Sequence, residues 1–291
     1  MFVFPSIAGY IGGDTLAALL TRGPEFYRGT QLLIDVGTNG EVVLAHHGEL
    51  VATSCATGPV YEGAHIRCGM RAVGGAIERV WVDAKGKIRC AAIKDGEGRS
   101  DPRPVGLCGS GVISSVAALV GAGLVGEDGG LAPPGSHPAL RGAAHGRAEE
   151  VQLVAGMYSR TGRDIVLTQQ DVRAVQLGKS ALRAGIEILL AESGVKRLDR
   201  IYLAGTFGNH LEPDDILDIG LVPPVPVETI RSIGNAAGDG ARMALFNRHH
   251  RRRALALARR IDVLELSGRT DFQDLFVMHT ELAPVAADAL V

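Results

Sequence analysis

The stretch Gln31–Leu44, QLLIDVGTNGEVVL, constrains the fold more than any other part of the chain. Leu32, Leu33 and Ile34 form an apolar run that ends at Asp35. Val42, Val43 and Leu44 resume it after Gly37-Thr38-Asn39-Gly40. Two β-prone runs joined by so short a polar link read as a hairpin, and Asn39-Gly40 predicts a type I′ turn with positive φ at both residues. The link also gathers a carboxylate at the strand end, glycine N–H groups and a hydroxyl. That grouping suits a phosphate with its magnesium, because N–H groups cradle the anion while the carboxylate holds a hydrated cation. It suits equally well an ordinary hairpin whose Asp caps the turn, and the hairpin alone does not decide.

The chain has 291 residues, enough for one large or two smaller domains, and its 46% hydrophobic content supplies a core. A formal net charge of -2 gives no electrostatic case for nucleic acid or a membrane surface, and 4% aromatics disfavours a base-stacking platform. Its 39 glycines fall in short motifs rather than repeats, which points to tight turns of the nucleotide-binding α/β kind. Cys55, Cys68, Cys90 and Cys108 show neither a CxxC pair nor an iron–sulfur spacing. No basic segment precedes an apolar one at the N-terminus, and no apolar run reaches the ~18 residues of a spanning helix. These features predict a soluble cytoplasmic protein with buried reduced thiols.

Further along, Asp14 is placed to cap a short helix over Thr15–Leu20, or else to face a ligand across Gly12-Gly13. Leu50–Cys55 reads as a third antiparallel strand. The loop 56–70 carries Glu62, His65 and Arg67, with Arg71 just beyond, each a weak binding candidate. Strands are expected over Ala76–Val82 and Lys87–Ile93. A helix is expected over Val112–Val120, opened by the turn Gly106–Gly111, whose free N–H groups suit either an anion or close packing. Leu131–Glu150 reads as a surface excursion. Thr168 caps a long helix whose Val172, Val175, Leu182, Ile186 and Leu189 fall on one face as core, with Gly178 and Gly185 allowing close packing or a bend. A buried strand Arg200–Ala204 runs into the turn Gly205–His210, and a second glycine turn, Gly234–Gly240, opens a helix near Ala241. The run RHHRRRALALARR, Arg248–Arg260, reads as the solvated face of a packed helix. A strand over Ile261–Leu266, a helix or turn at Phe272–Phe276 and a frayed tail from Pro284 complete the expectations.

IDVGTNGEVVL, SCATGPVYEGAHIRCGM, GLCGSGVISSVAAL, IYLAGTFGNHLEP, SIGNAAGDGARMAL and ELSGRTDFQDLF together resemble the C-terminal ATPase domain of the reductive activators of corrinoid proteins. The likeness runs from about Ala8 to Phe276. It implies an α/β fold of the actin/sugar kinase/Hsp70 superfamily: a ribonuclease-H-like lobe with a mixed sheet flanked by helices. On that pattern Asp35, Gly37, Thr38, Asn39 and Gly40 are a phosphate hairpin, with Asp35 holding Mg²⁺. Gly205, Thr206, Gly208 and Asn209 form the adenosine turn, and Asp14 joins Asp35 as a catalytic carboxylate. The implied cofactors are ATP and Mg²⁺. The family uses ATP to help drive electron transfer from its [2Fe–2S] centre, which reduces Co(II) of a partner's corrinoid to Co(I).

The sequence departs from the full family pattern in two ways. It has no ferredoxin domain or cluster cysteines, so no iron–sulfur cluster is expected here and a ferredoxin domain or chain becomes a partner beside the corrinoid protein. No first phosphate hairpin precedes Asp35, so residues 1–29 read as the end of a truncated first lobe and 30–291 as the second, with its excursion near 130–150. A homodimer is expected. Two other functions share the fold: a non-catalytic interaction or dimerisation module, and a small-molecule kinase with Asp14 or Glu62 as base.

Overall fold

β1 (Thr30–Val36), β2 (Gly40–His46) and β3 (Glu49–Cys55) form an antiparallel meander in a computed structural model that describes residues 2–94, 103–205 and 211–282. Next to the meander, β10 (Arg200–Ala204) pairs in parallel with β1, β11 (Ile230–Ser232) with β10, and β12 (Ile261–Val263) with β3. Among the described residues the result is a six-stranded mixed sheet in the order β11-β10-β1-β2-β3-β12. This is the expected α/β architecture. Two smaller three-stranded sheets extend it. One joins β4 (Ala76–Val82), β5 (Ile88–Ala92) and β6 (Gly106–Leu107); the other joins β7 (Leu140–Arg141), β8 (Glu150–Val154) and β9 (Ile165–Thr168).

Successive residues of a strand point to opposite faces, so the central sheet builds two cores. Leu32, Ile34, Val36, Val42 and Leu44 join the larger one, against α4 (Gln169–Glu192). Leu33, Val43, Ala45 and Ala52 join the other, against α1 (Gly13–Leu20), α6 (Ala236–Phe246) and α7 (Arg248–Ala258). The α4 stripe predicted as core is buried at every position, each side chain contributing roughly 1.5–3 kcal/mol. Thr168 caps this helix through a capping box with Asp171. The remaining helices are α2 (Pro24–Arg28), α3 (Gly109–Gly121), α5 (Pro213–Asp218) and α8 (Thr270–Met278).

Three local expectations are corrected. The hairpin turn is not type I′: neither Asn39 nor Gly40 has positive φ, and Gly37–Asn39 form a three-residue link before Gly40 opens β2. Gly40 serves close packing instead, since a Cβ there would lie 2.8 Å from Leu182 Cδ1 on α4 and that side chain would have to move. The glycine turns at 109–111 and 236–240 lie inside helices rather than ahead of them. A Cβ on Gly111 would fall 2.0 Å from the Ile77 carbonyl oxygen, and one on Gly240 would fall 1.8 Å from that of Ala17. In α7, Ala254 and Leu257 are buried but Leu255 is 44% exposed, because it points off the packed face. Gly178 and Gly185 serve close packing: a Cβ would meet the Thr57 carbonyl oxygen at 2.8 Å and Cys55 Sγ at 2.3 Å respectively. The tail from Pro284 lies outside the described residues.

Because the Gly240 contact is with backbone, Gly240→Val must push α6 off α1. The expected loss is about 1–3 kcal/mol or more, read as a lower urea midpoint. An unchanged midpoint would show that the two helices do not meet this closely.

Candidate functional site

Period-two alternation decides where Asp35 points. Leu33 faces the α1 side, so Asp35 faces that side too, one step beyond the apolar layer. Strand register places Glu41 opposite Asp35 and Ser54 opposite Glu41. The face that carries Leu33, Val43 and Ala52 therefore turns polar at the carboxyl end of β1. A cleft of about 440 Å³ opens there, lined by Asp14, Asp35, Gly37, Glu62 and Arg71 among others.

Helix N-termini surround it. Gly109 and Ser110 of α3 line the cleft, and the N-cap of that helix, Cys108, supplies no side-chain acceptor. Asn235, which caps α6 by accepting from Gly238 N–H at 2.9 Å, lines it too. Asp14 brings the third. It is not the cap of α1, a place taken by Gly12. It lies in the first turn, where Oδ1 accepts from Thr15 N–H at 2.9 Å. Helix N-termini carry partial positive charge and open N–H donors, so three of them around one cleft favour an anion.

The hairpin link has a geometry that its sequence does not reveal. Gly37 N–H turns inward to the Asn39 carbonyl at 3.0 Å, so it is Thr38 and Asn39 whose N–H groups have no protein acceptor among the described residues. Thr57 Oγ1 lies at hydrogen-bond distance from the carbonyls of Gly37 (3.0 Å) and Thr38 (3.1 Å) and pins the link. Thr38 Oγ1 donates to Glu62 Oε1 at 2.6 Å. A Cβ at Gly37 would meet only the Asn39 carbonyl, at 3.4 Å, so no packing among the described residues excludes a Cβ there.

Gly205 has φ 93°, and a Cβ on it would lie 2.6 Å from Asp35 Oδ1, so glycine lets the backbone just past β10 approach that carboxylate. Gly205 N–H donates to the Gly234 carbonyl at 3.0 Å and ties the end of β10 to the start of the second glycine turn. Thr206, Gly208 and Asn209 lie outside the described residues. Of the weak loop candidates, Glu62 and Arg71 reach the cleft, whereas His65 and Arg67 line a separate groove beside the start of α4. Ser110 and Asn235 lie in the two glycine turns the sequence marks, Gly106–Gly111 and Gly234–Gly240, though neither stands out as a single residue. Sequence reasoning missed Glu41, whose signal is a charge that strand register sets opposite Asp35.

The cleft is acidic. Burial pushes the Asp35 carboxyl up to about 6, and the Asp14 charge adds to the shift. Burial also raises Glu41 to about 7, with Asp14 and Asp35 adding repulsion. Arg71 is the sole cation among the described lining residues, and none of these carboxylates is salt-bridged among the described residues. Unneutralised carboxylates beside helix N-termini fit a hydrated dication carrying an anion. Among the described residues no three His, Cys, Asp or Glu side chains converge on a metal position. A Mg²⁺ ion would accordingly rest on one or two carboxylates, with water and phosphate oxygens completing its shell. The cysteines divide into buried Cys55 and Cys108 and half-buried Cys68 and Cys90. Among the described residues no helix is long and apolar enough to cross a membrane.

The raised carboxyls set the sign of a pH effect. Glu41 ionises near its ordinary 4.5 when unfolded and near 7 when folded, so the folded chain binds more protons in between. The contribution of this group is fully present below pH 4.5 and lost as pH rises through 7; Asp35 acts the same way from 3.8 to about 6. Glu41→Gln should therefore raise the thermal midpoint at pH 8, by about 2–4 °C per kcal/mol of relieved burial and repulsion of the charge, with little change at pH 4.5. Equal shifts at both pH values would exclude a buried, repelled carboxylate as the cause.

Residues 29–289 match the family of the C-terminal domain of RACo, the ASKHA domain. The chain is 35% identical over 283 residues to the corrinoid activation enzyme RamQ of Eubacterium limosum, covering 95% of this chain and 46% of that protein. It is 26% identical over 298 residues to the [Co(II) methylated amine-specific corrinoid protein] reductase of Methanosarcina barkeri, covering 95% and 50%. Among solved structures, a reductive activator for corrinoid, iron–sulfur protein superposes with a TM-score of 0.87 at 35% identity, over 97% of this chain and 44% of that one. The chain thus spans about half the length of the curated relatives it matches. With the mixed sheet, the hairpin and the acidic cleft in place, this chain belongs to the family of the C-terminal ASKHA domain of RACo.

Proposed function

We propose that the cleft binds ATP with Mg²⁺, and that this domain couples nucleotide hydrolysis to the reductive activation of a corrinoid protein, from Co(II) to Co(I). The observation that carries the nucleotide reading is the half-buried, unneutralised Asp35 amid three helix N-termini. Support for the corrinoid reading comes from relatives whose names state corrinoid activation or reduction.

Bound Mg²⁺ would neutralise charge on the phosphate oxygens and on Asp35. The chain's own groups would do the rest. Thr38 and Asn39 offer their N–H groups to phosphate, and the Thr38 hydroxyl leaves Glu62 to join them. The first turn of α3 offers Gly109 and Ser110. Asp14, with Oδ1 held by Thr15 N–H, presents its other oxygen to orient a water for attack. Gly205, with Thr206, Gly208 and Asn209 after it, takes the adenosine. The electron comes from a ferredoxin domain or chain, and the corrinoid is the substrate of the coupled reaction.

Isothermal calorimetry tests the cleft. Asp35→Ala should abolish Mg-ATP binding while circular dichroism stays unchanged. Gly37→Ala should weaken binding with little loss of stability, because its Cβ would make no more than an ordinary contact with the Asn39 carbonyl. Asp14→Asn should lower hydrolysis by about 10²-fold or more with affinity nearly retained. Unchanged nucleotide affinity in Asp35→Ala rejects the assignment.

A further inference from the structure

A second pocket, of about 400 Å³, lies between α2 and α7. It sits at the end of the sheet opposite the acidic cleft, because Arg28 precedes β1 and Arg260 Nη2 donates to the Gly48 carbonyl in the β2–β3 turn at 3.0 Å. Arg28, Arg253 and Arg260 line it with Tyr27, Ala256 and Leu257, and no carboxylate does. Two of the guanidinium groups are held in place. Arg253 Nη2 donates to the Arg22 carbonyl at 2.8 Å and its guanidinium lies 5.7 Å from the centre of the Tyr27 ring. Tyr27 is anchored in turn by its hydroxyl, which donates to the Leu19 carbonyl at 2.8 Å. A guanidinium has five N–H donors, so each retains donors for an incoming anion.

The charge continues past the pocket. Arg248, Arg251, Arg252, Arg253, Arg259 and Arg260 crowd one segment, and no Asp or Glu occurs between Asp239 and Asp262. Among the described residues none of these six is paired with a carboxylate, whereas Arg141, Arg147, Arg183 and Arg269 all are. Gathered like charges raise the free energy of the isolated chain, and an oppositely charged partner relieves it. A small anion would engage the three pocket arginines and leave exposed Arg248, Arg252 and Arg259 unmatched along a helix roughly 16 Å long. Nucleic acid fits poorly, because the chain carries a net charge of -2 and the pocket's one aromatic ring is already stacked by Arg253.

We propose that the α2–α7 face docks an acidic segment of a partner protein. An Asp or Glu carboxylate would sit among Arg28, Arg253 and Arg260, with a neighbouring aliphatic side chain on Tyr27, Ala256 and Leu257. The proposal does not rest on the nucleotide reading of the other cleft.

A fluorescein-labelled peptide of alternating Glu and Leu, titrated into the 291-residue chain and followed by anisotropy, tests it. Binding should weaken with salt and fall about tenfold in Arg28→Glu and again in Arg252→Glu. Neither side chain makes a hydrogen bond or ion pair among the described residues, so both variants should keep the wild-type thermal midpoint. Equal peptide affinity in wild type and both variants overturns the proposal. So does tighter binding of an oligothymidylate of equal charge, or displacement of the peptide by inorganic phosphate at matched ionic strength.

Discussion

The Asp35 carboxylate faces Glu41 across the hairpin with no cationic side chain paired to either among the described residues, and the site depends on that opposition. Like charges directly opposed on a sheet destabilise it. Here the cost falls where apolar packing on that face ends and three helix N-termini begin. Their partial positive charge offsets part of the repulsion, and a metal-bound anion would offset the remainder. The glycine turns follow from the same constraint, since any side chain on Gly205 would strike the Asp35 oxygen.

The hairpin also depends on what lies behind it. α4 is threaded by buried polar groups as well as its apolar stripe: Gln176, Lys179, Ser180 and Arg183. These hold the segment that follows α8. Ser180 Oγ donates to the His279 carbonyl at 2.7 Å, Gln176 Nε2 to that of Thr280 at 2.6 Å, and Lys179 to that of Glu281. Arg183 is neutralised by Glu187, which also pairs with His279. Buried polar groups satisfied in this way fix a single register. With Gly178 and Gly185 admitting the Thr57 loop and Cys55, α4 is a rigid backing for the loop that carries Glu62.

Charge is divided between the two ends of the central sheet. Asp35 and, opposite it on β2, Glu41 occupy the end of the sheet where β1 finishes, and arginines of α7 with no carboxylate partner among the described residues collect at the other. The net charge of -2 conceals this division, since a sum over the chain carries no position.

Much of the fold was legible in the sequence because it rests on short-range pattern. Alternation gave the strands of the meander, the Val172–Leu189 spacing gave α4, and Thr168 announced its start. The glycine turns stand out as motifs, and Gly111 serves the close packing that was one of its two readings, but Gly40 and Gly240 serve close approach rather than a type I′ turn or a ligand turn. A glycine kept for a close approach looks the same in sequence as one kept for positive φ. The hairpin, the carboxylate at its end and the family likeness follow from the order of the residues alone. That Asp14, Glu41, Ser110 and Asn235 surround Asp35, and that Thr38 and Asn39 rather than Gly37 keep open N–H groups among the described residues, emerges only in the folded chain. Those facts depend on strand register and on contacts between residues distant in the chain, which no local pattern encodes.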